Sequence, residues 1–246
     1  MPALKGQRES MQPIKRTRPY QPLLLRLLHG LNGIFLIAAI LTAFWTYDVY
    51  DGRWGKLSLP PYQIIEGVHG TFGLYTLLIF PAFVIYSFHR TKKPLTQSIG
   101  RTKAAQVGTP LWWYCLSRFT NLLSLVALTL ALVSGKMMDE TWLPKGELNH
   151  RWYYVHLISW IVVTGAIALH LLLKAKVGGA PLILSVLDWQ FVPTDSPKYW
   201  RSHVANWWGY TCSKPWIYWL SRLPSLAPLE MIILGSLLGA WIGSLF

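Results

Sequence analysis

Five apolar runs, each close to the thickness of a bilayer, decide most of what this chain can fold into. A spanning helix needs about 20 mainly apolar residues. The stretches from about Leu23 to Tyr47, Tyr62 to Phe88, Leu116 to Ser134, Trp152 to Leu173 and Leu229 to Phe246 meet that length or come close. Backbone N–H and C=O groups in hydrocarbon must be satisfied within the segment, so such runs fold as helices and the expected class is all-α. Of the 246 residues 52% are hydrophobic and 13% charged, about half the charge of an ordinary soluble domain. The 14 Trp and 12 Tyr suit anchors at two membrane interfaces.

A net charge of +13 would suggest nucleic acid in a soluble protein. Here the cations lie between the apolar runs and set a topology instead, so the expected partner is lipid and not nucleic acid. With a cytoplasmic N-terminus, only Arg53, Lys56, Lys136, Lys145 and Arg151 of the 23 Lys and Arg fall outside, which is the asymmetry of positive-inside topology. The C-terminus then lies outside. The first run is too long for a signal-peptide core and lacks a clear cleavage site. Cys115 and Cys212 are far apart and belong to no C-x-x-C-H or paired-cysteine motif.

Three regions follow: a basic tail over 1–20, four spans over 21–177, and a C-terminal part over 178–246. Residues 178–228 are too polar and proline-rich to span, and Trp207, Trp208 and the stretch from Trp216 to Trp219 are expected at the inner interface. On the last helix Gly235, Gly239 and Gly243 recur at every fourth position. Such a stripe lets another helix approach closely, whether within this bundle or from a partner subunit.

Four of the seven histidines, His29, His69, His156 and His170, fall well inside the expected spans. Ionisable groups at that depth are costly and mark function by default, although one alone can simply bond a neighbouring helix. His156 and His170 are 14 residues apart on one helix, hence about 40° apart in azimuth and about 21 Å apart along the axis. They share a face, one near each surface. The charge-derived topology puts His29 near the inner surface and His69 near the outer one. The level pairs are therefore His69 with His156 (outer) and His29 with His170 (inner). Two facing imidazoles, twice, are what bis-histidine haem ligation requires, each ring ligating through one nitrogen and donating through the other. One turn after His29 and His69 stand Gly33 and Gly73, whose missing side chains leave room for a porphyrin or simply allow close helix packing.

At these positions the chain resembles the bacterial di-haem cytochrome b superfamily. That group includes the membrane subunits of nickel hydrogenases and formate dehydrogenases and the b-561-type cytochromes. The resemblance covers residues 20–175. It implies an integral membrane four-helix haem-binding bundle, here with an additional C-terminal transmembrane helix. It also implies two haem b groups and electron transfer between a redox partner and quinone or another acceptor, as a subunit of a quinone-linked oxidoreductase more than a stand-alone enzyme. The housing is then a bacterial inner or internal energy-transducing membrane.

Haem propionates need cationic company near each surface. Arg26, one turn before His29, and Arg118 suit the inner haem, and Arg151 the outer. Each also has the ordinary reading of a snorkelling interfacial arginine. His150, six residues before His156, is the one rival for the outer ligand, while His89 and His203 read as surface histidines. Glu66 is either a proton relay or a headgroup-level carboxylate. His89, Asn121 and Ser124 are loose quinone-pocket candidates. Competing functions are a histidine-relay transporter, which needs acidic residues between the histidines, and a structural, assembly or pigment-binding subunit. No Asp or Glu lies mid-span, and a chlorophyll takes one axial ligand where these histidines come in pairs.

Overall fold

The computed structural model describes residues 19–90, 106–138, 148–215 and 228–244; the side chains of His89, Arg90, His203, Trp207 and Thr211 lie outside that description, as do Trp216 to Trp219. The described chain is helical, without strands: α1 (Leu23–Tyr50), α2 (Ile65–Arg90), α3 (Pro110–Lys136), α4 (Arg151–Leu184), a 3-10 turn at Pro193–Asp195, α5 (Pro197–Ser213) and α6 (Pro228–Gly243). The first four are long and apolar enough to cross a membrane. Ile34 and Leu41 on α1 are each 65% exposed; faces of that kind are covered by lipid in a protein that spans. The end of the bundle carrying Leu23 is called the near end below, and the end carrying Tyr50 the far end.

Helix boundaries follow local chemistry. α3 begins at Pro110, not near Leu116, because Thr109 caps it. Its Oγ1 accepts the Trp112 N–H at 3.3 Å, and proline occupies the first turn, where its missing N–H is no loss. His150 caps α4 in the same way, its Nδ1 accepting the Trp152 N–H at 3.2 Å. α4 runs 34 residues, past Leu173 to Leu184, about 51 Å against a hydrocarbon core of about 30 Å. It bends at Gly179, whose φ of +64° and ψ of −165° no other residue adopts cheaply, two residues before Pro181. Between α4 and α6 the described residues form only the 3-10 turn and α5, neither of them a membrane-length apolar helix.

α1 packs along α2 and α3 along α4, while the two hairpins touch each other far less. α6 lies on α2 and α3, where Ile233, Leu237 and Ala240 join Leu77, Phe80, Val84, Ala127, Leu128 and Leu132 in one buried cluster. A Cβ at Gly235, Gly239 or Gly243 would meet nothing. The glycine stripe is therefore not the face α6 uses on its own bundle. With 16 residues, α6 is about 24 Å long, shorter than the expected run to Phe246.

The near end is latched by a residue distant in sequence. The Asp195 carboxylate accepts the Leu23 N–H at 2.6 Å and the Tyr20 hydroxyl, capping α1. At the far end, buried Asp48 accepts the N–H groups of Leu57 and Leu59 and shapes the α1–α2 loop. Beside it Arg53 donates to Asp51 at 2.8 Å, to the Tyr154 hydroxyl at 2.7 Å and to the Leu148 carbonyl at 2.9 Å, tying that loop to the start of α4. Burial pushes the Asp51 pKa up, but hydrogen bonds from Arg53 and Tyr153 outweigh it and hold the carboxyl below its ordinary range. A depressed carboxylate pKa contributes stability above the unfolded value of about 4 and loses it as pH falls through the folded value. Thermal unfolding in detergent, followed from neutral pH downwards, should therefore show an acid limb that is shallower in Asp51→Asn, by about 1 kcal/mol or less. An identical limb in both proteins rejects the role of this tie.

Candidate functional site

Each end of the bundle holds one histidine pair. At the far end His69 of α2 faces His156 of α4 with ring centroids 5.9 Å apart; at the near end His29 of α1 faces His170 of α4 at 6.3 Å. Two imidazoles sharing one metal, each bonded at about 2 Å, bring their ring centres to roughly 6 Å. Both pairs have that spacing.

The rings are held by their Nδ1 atoms. His69 Nδ1 lies 3.1 Å from the Ala39 carbonyl, with Thr42 Oγ1 at 3.4 Å. His156 Nδ1 lies 3.0 Å from the Ala131 carbonyl, with Ser134 Oγ at 3.2 Å. A carbonyl only accepts, so Nδ1 carries the proton in both rings and Nε2 keeps its lone pair for a metal. His170 Nδ1 lies 3.0 Å from Asn121 Oδ1, which directs that ring in the same sense. His29 is instead met by the edge of Phe83, 5.8 Å away. The hydroxyls of Thr42 and Ser134 bond back to the same Ala39 and Ala131 carbonyls, so alcohol, carbonyl and imidazole form one cluster at each far-end ring.

The surroundings fit a flat group with polar edges. A Cβ at Gly30, Gly33, Gly70 or Gly73 would enter open space. Three buried side-chain atoms have no partner among the described residues, Arg26 Nε, Asn32 Oδ1 and Ser124 Oγ. Arg26 and Asn32 bracket His29 by one turn on either side, and Ser124 is one turn from Asn121.

The other expected residues separate. Arg26 is buried at the near end, donating to the Gln190 carbonyl at 2.9 Å and lying over the Tyr20 ring. Arg118 is half-buried on α3 in the near half of the bundle. Arg151 is exposed in the first turn of α4, five residues before His156. The ring of His150 is engaged in capping α4, and Glu66 is exposed in the first turn of α2, where a carboxylate favours the helix dipole.

Sequence reasoning missed four residues here. Gly135 is one: a Cβ there would sit 3.1 Å from His156 Cε1, so glycine lets that ring lie close against α3 without being pushed aside. Trp160, one turn after His156, is another. It stacks on Phe44 and Tyr47 and donates to the Ile40 carbonyl at 3.3 Å, walling a far-end cleft that Trp54, Lys56 and Leu57 complete. Asn32 and Lys174 are the others, and their signal was position: each stands one turn from a histidine on the same helix. A search for charged or aromatic residues at three- and four-residue offsets would have found Lys174 and Trp160.

Neither a curated protein nor a solved structure matches the chain. A family model described as prokaryotic cytochrome b561 matches residues 20–180, the region that holds all four histidines and α1 to α4 as far as the kink. The chain therefore belongs to the prokaryotic cytochrome b561 family, multi-pass membrane proteins that carry electrons through haem b.

Proposed function

We propose that this protein carries electrons across its membrane through two haems, one held by His69 and His156 and the other by His29 and His170. The observation that supports this most is the pair of facing rings at each end, 5.9 and 6.3 Å apart, with Nδ1 engaged in three of the four. Bound there, each haem supplies a one-electron carrier whose potential is set by its axial ligands, burial and nearby charge.

The chain's own residues hold and bias that carrier. Ala39, Ala131 and Asn121 fix the ligand rings through Nδ1, while Gly33 and Gly73 leave the space beside them. Arg26 and Arg118 serve the carboxylates of the near-end haem and Arg151 those of the far-end haem. With the N-terminus cytoplasmic, the near end faces the cytoplasm and the C-terminus lies outside, as the distribution of Lys and Arg favours. The electron route then joins a redox partner to the quinone pool, with this chain as the membrane subunit. The glycine stripe of α6, unused by its own bundle, is the face for another subunit. A histidine-relay transporter has less support. Asp48, the carboxylate at the end of α1, is committed to the Leu57 and Leu59 N–H groups.

The test is a dithionite-reduced minus oxidised spectrum of the detergent-purified protein, with haem quantified per chain after expression with ample haem supply. Two b-type haems per chain are expected. A colourless protein sinks the reading.

A further inference from the structure

The near-end pair is surrounded by more positive charge than its ligands need. Arg26 stands three residues before His29 on α1, Arg118 three before Asn121 on α3, and Lys174 four after His170 on α4. On each helix that offset is one turn toward the near end. The 3.0 Å contact between Asn121 and His170 sets the register of α3 and α4. Arg118 and Lys174 therefore come level on facing helices.

No ion pair among the described residues joins this group, and the Asp195 carboxylate at the same end is engaged by the Leu23 N–H and the Tyr20 hydroxyl. Arg118 and Lys174 are half-buried. Arg26 is 5% exposed, and its Nε is buried with no partner. Cations held together away from water are unfavourable unless an anion joins them, and a porphyrin with two propionates brings two carboxylates.

We infer that Lys174 completes, with Arg26 and Arg118, a three-cation collar that takes the two carboxylates of the near-end haem and leaves one positive charge in excess beside it. The inference rests on the ligation proposed above. An uncompensated cation favours the more negative, reduced state of a nearby redox centre. Lys174 therefore raises the potential of the near-end haem.

The experiment is a spectroscopically monitored redox titration of the purified holoprotein, with haem quantified per chain, for Lys174→Gln, Lys174→Arg and Lys176→Gln. Lys176 is an exposed cation two residues further along α4, over the Trp113 ring, and controls for general surface charge. Lys174→Gln should lower the midpoint of one haem, or release that haem, and leave the other unchanged. Lys174→Arg should restore wild-type behaviour, and Lys176→Gln should show it from the start. Unaltered potentials with full haem in Lys174→Gln overturn the collar, as does failure of the arginine to restore. His29→Ala separates the two levels of the argument. If it loses one haem while Lys174→Gln changes nothing, the ligation stands and the collar falls. If it keeps both haems, the ligation falls and takes the collar with it.

Discussion

Alanine at His69 or at His156 is expected to remove the same haem, lowering the haem content from two per chain to about one. His29→Ala and His170→Ala should each remove the other. The size of the effect follows from the coordination. With one histidine of a pair gone, only the remaining imidazole, packing and the carboxylate contacts would be left to hold the group. Removing one ligand therefore does nearly all the damage, and double variants make the test specific. Residues acting as a unit are non-additive. His69→Ala with His156→Ala should lose no more haem than either alone, while His69→Ala with His29→Ala should lose both. A double variant that crosses the two pairs yet still holds one haem would reject the pairing.

The second large effect comes from filling space. Gly33→Leu or Gly73→Leu should leave the polypeptide folded but release the haem of that level. In the polypeptide alone, a Cβ at either glycine meets no atom within 4 Å, and leucine is a better helix former than glycine by about 1 kcal/mol. The backbone by itself therefore has room for a Cβ at both positions and gains helix propensity from the change. A porphyrin edge in that space would not. The expected signature is a protein with helical content and thermal stability at or above those of apo wild type, and half the haem. Gly239→Leu, on the outward face of α6, provides the contrast and should keep both haems. If Gly73→Leu binds two haems with unchanged spectra, the space beside His69 is not where the porphyrin lies.

Much of this architecture was legible because a bilayer simplifies the code. Four runs of apolar residues became α1 to α4, and the depth of each histidine could be counted from its helix end. The geometry then sets His69 against His156 and His29 against His170. What hydropathy hid was helix beyond the hydrocarbon. α4 continues through Lys174 and Lys176 to Leu184 because two lysines end an apolar run without ending a helix, and the bend waits for Gly179 and Pro181. α3 likewise begins at Pro110, set by a threonine cap that hydropathy does not register. Within the site, side chains of opposite character were the hard part. Asn121 reads in the sequence as a loose quinone-pocket candidate, whereas its side chain meets His170, and Gly135 matters only for the ring that leans on it. Such roles depend on which helix lies opposite, and one helix's periodicity carries no record of that.

The Asp195 latch gives the molecule an order of completion. Every group that shapes the far-end site, from Ala39 and His69 to Ala131, Ser134 and His156, exists once the chain has been synthesised as far as the start of α4. The near end must wait. Leu23 and Asp195 are 172 residues apart, and Arg26 and Gln190 are 164, so the first helix made is among the last to have its end secured. A chain cut at residue 180, where the family match stops, would keep all four histidines and lose both ties. The two sites would then mature in sequence during biogenesis, the far one on the nascent chain and the near one only after the segment beyond α4 has folded back.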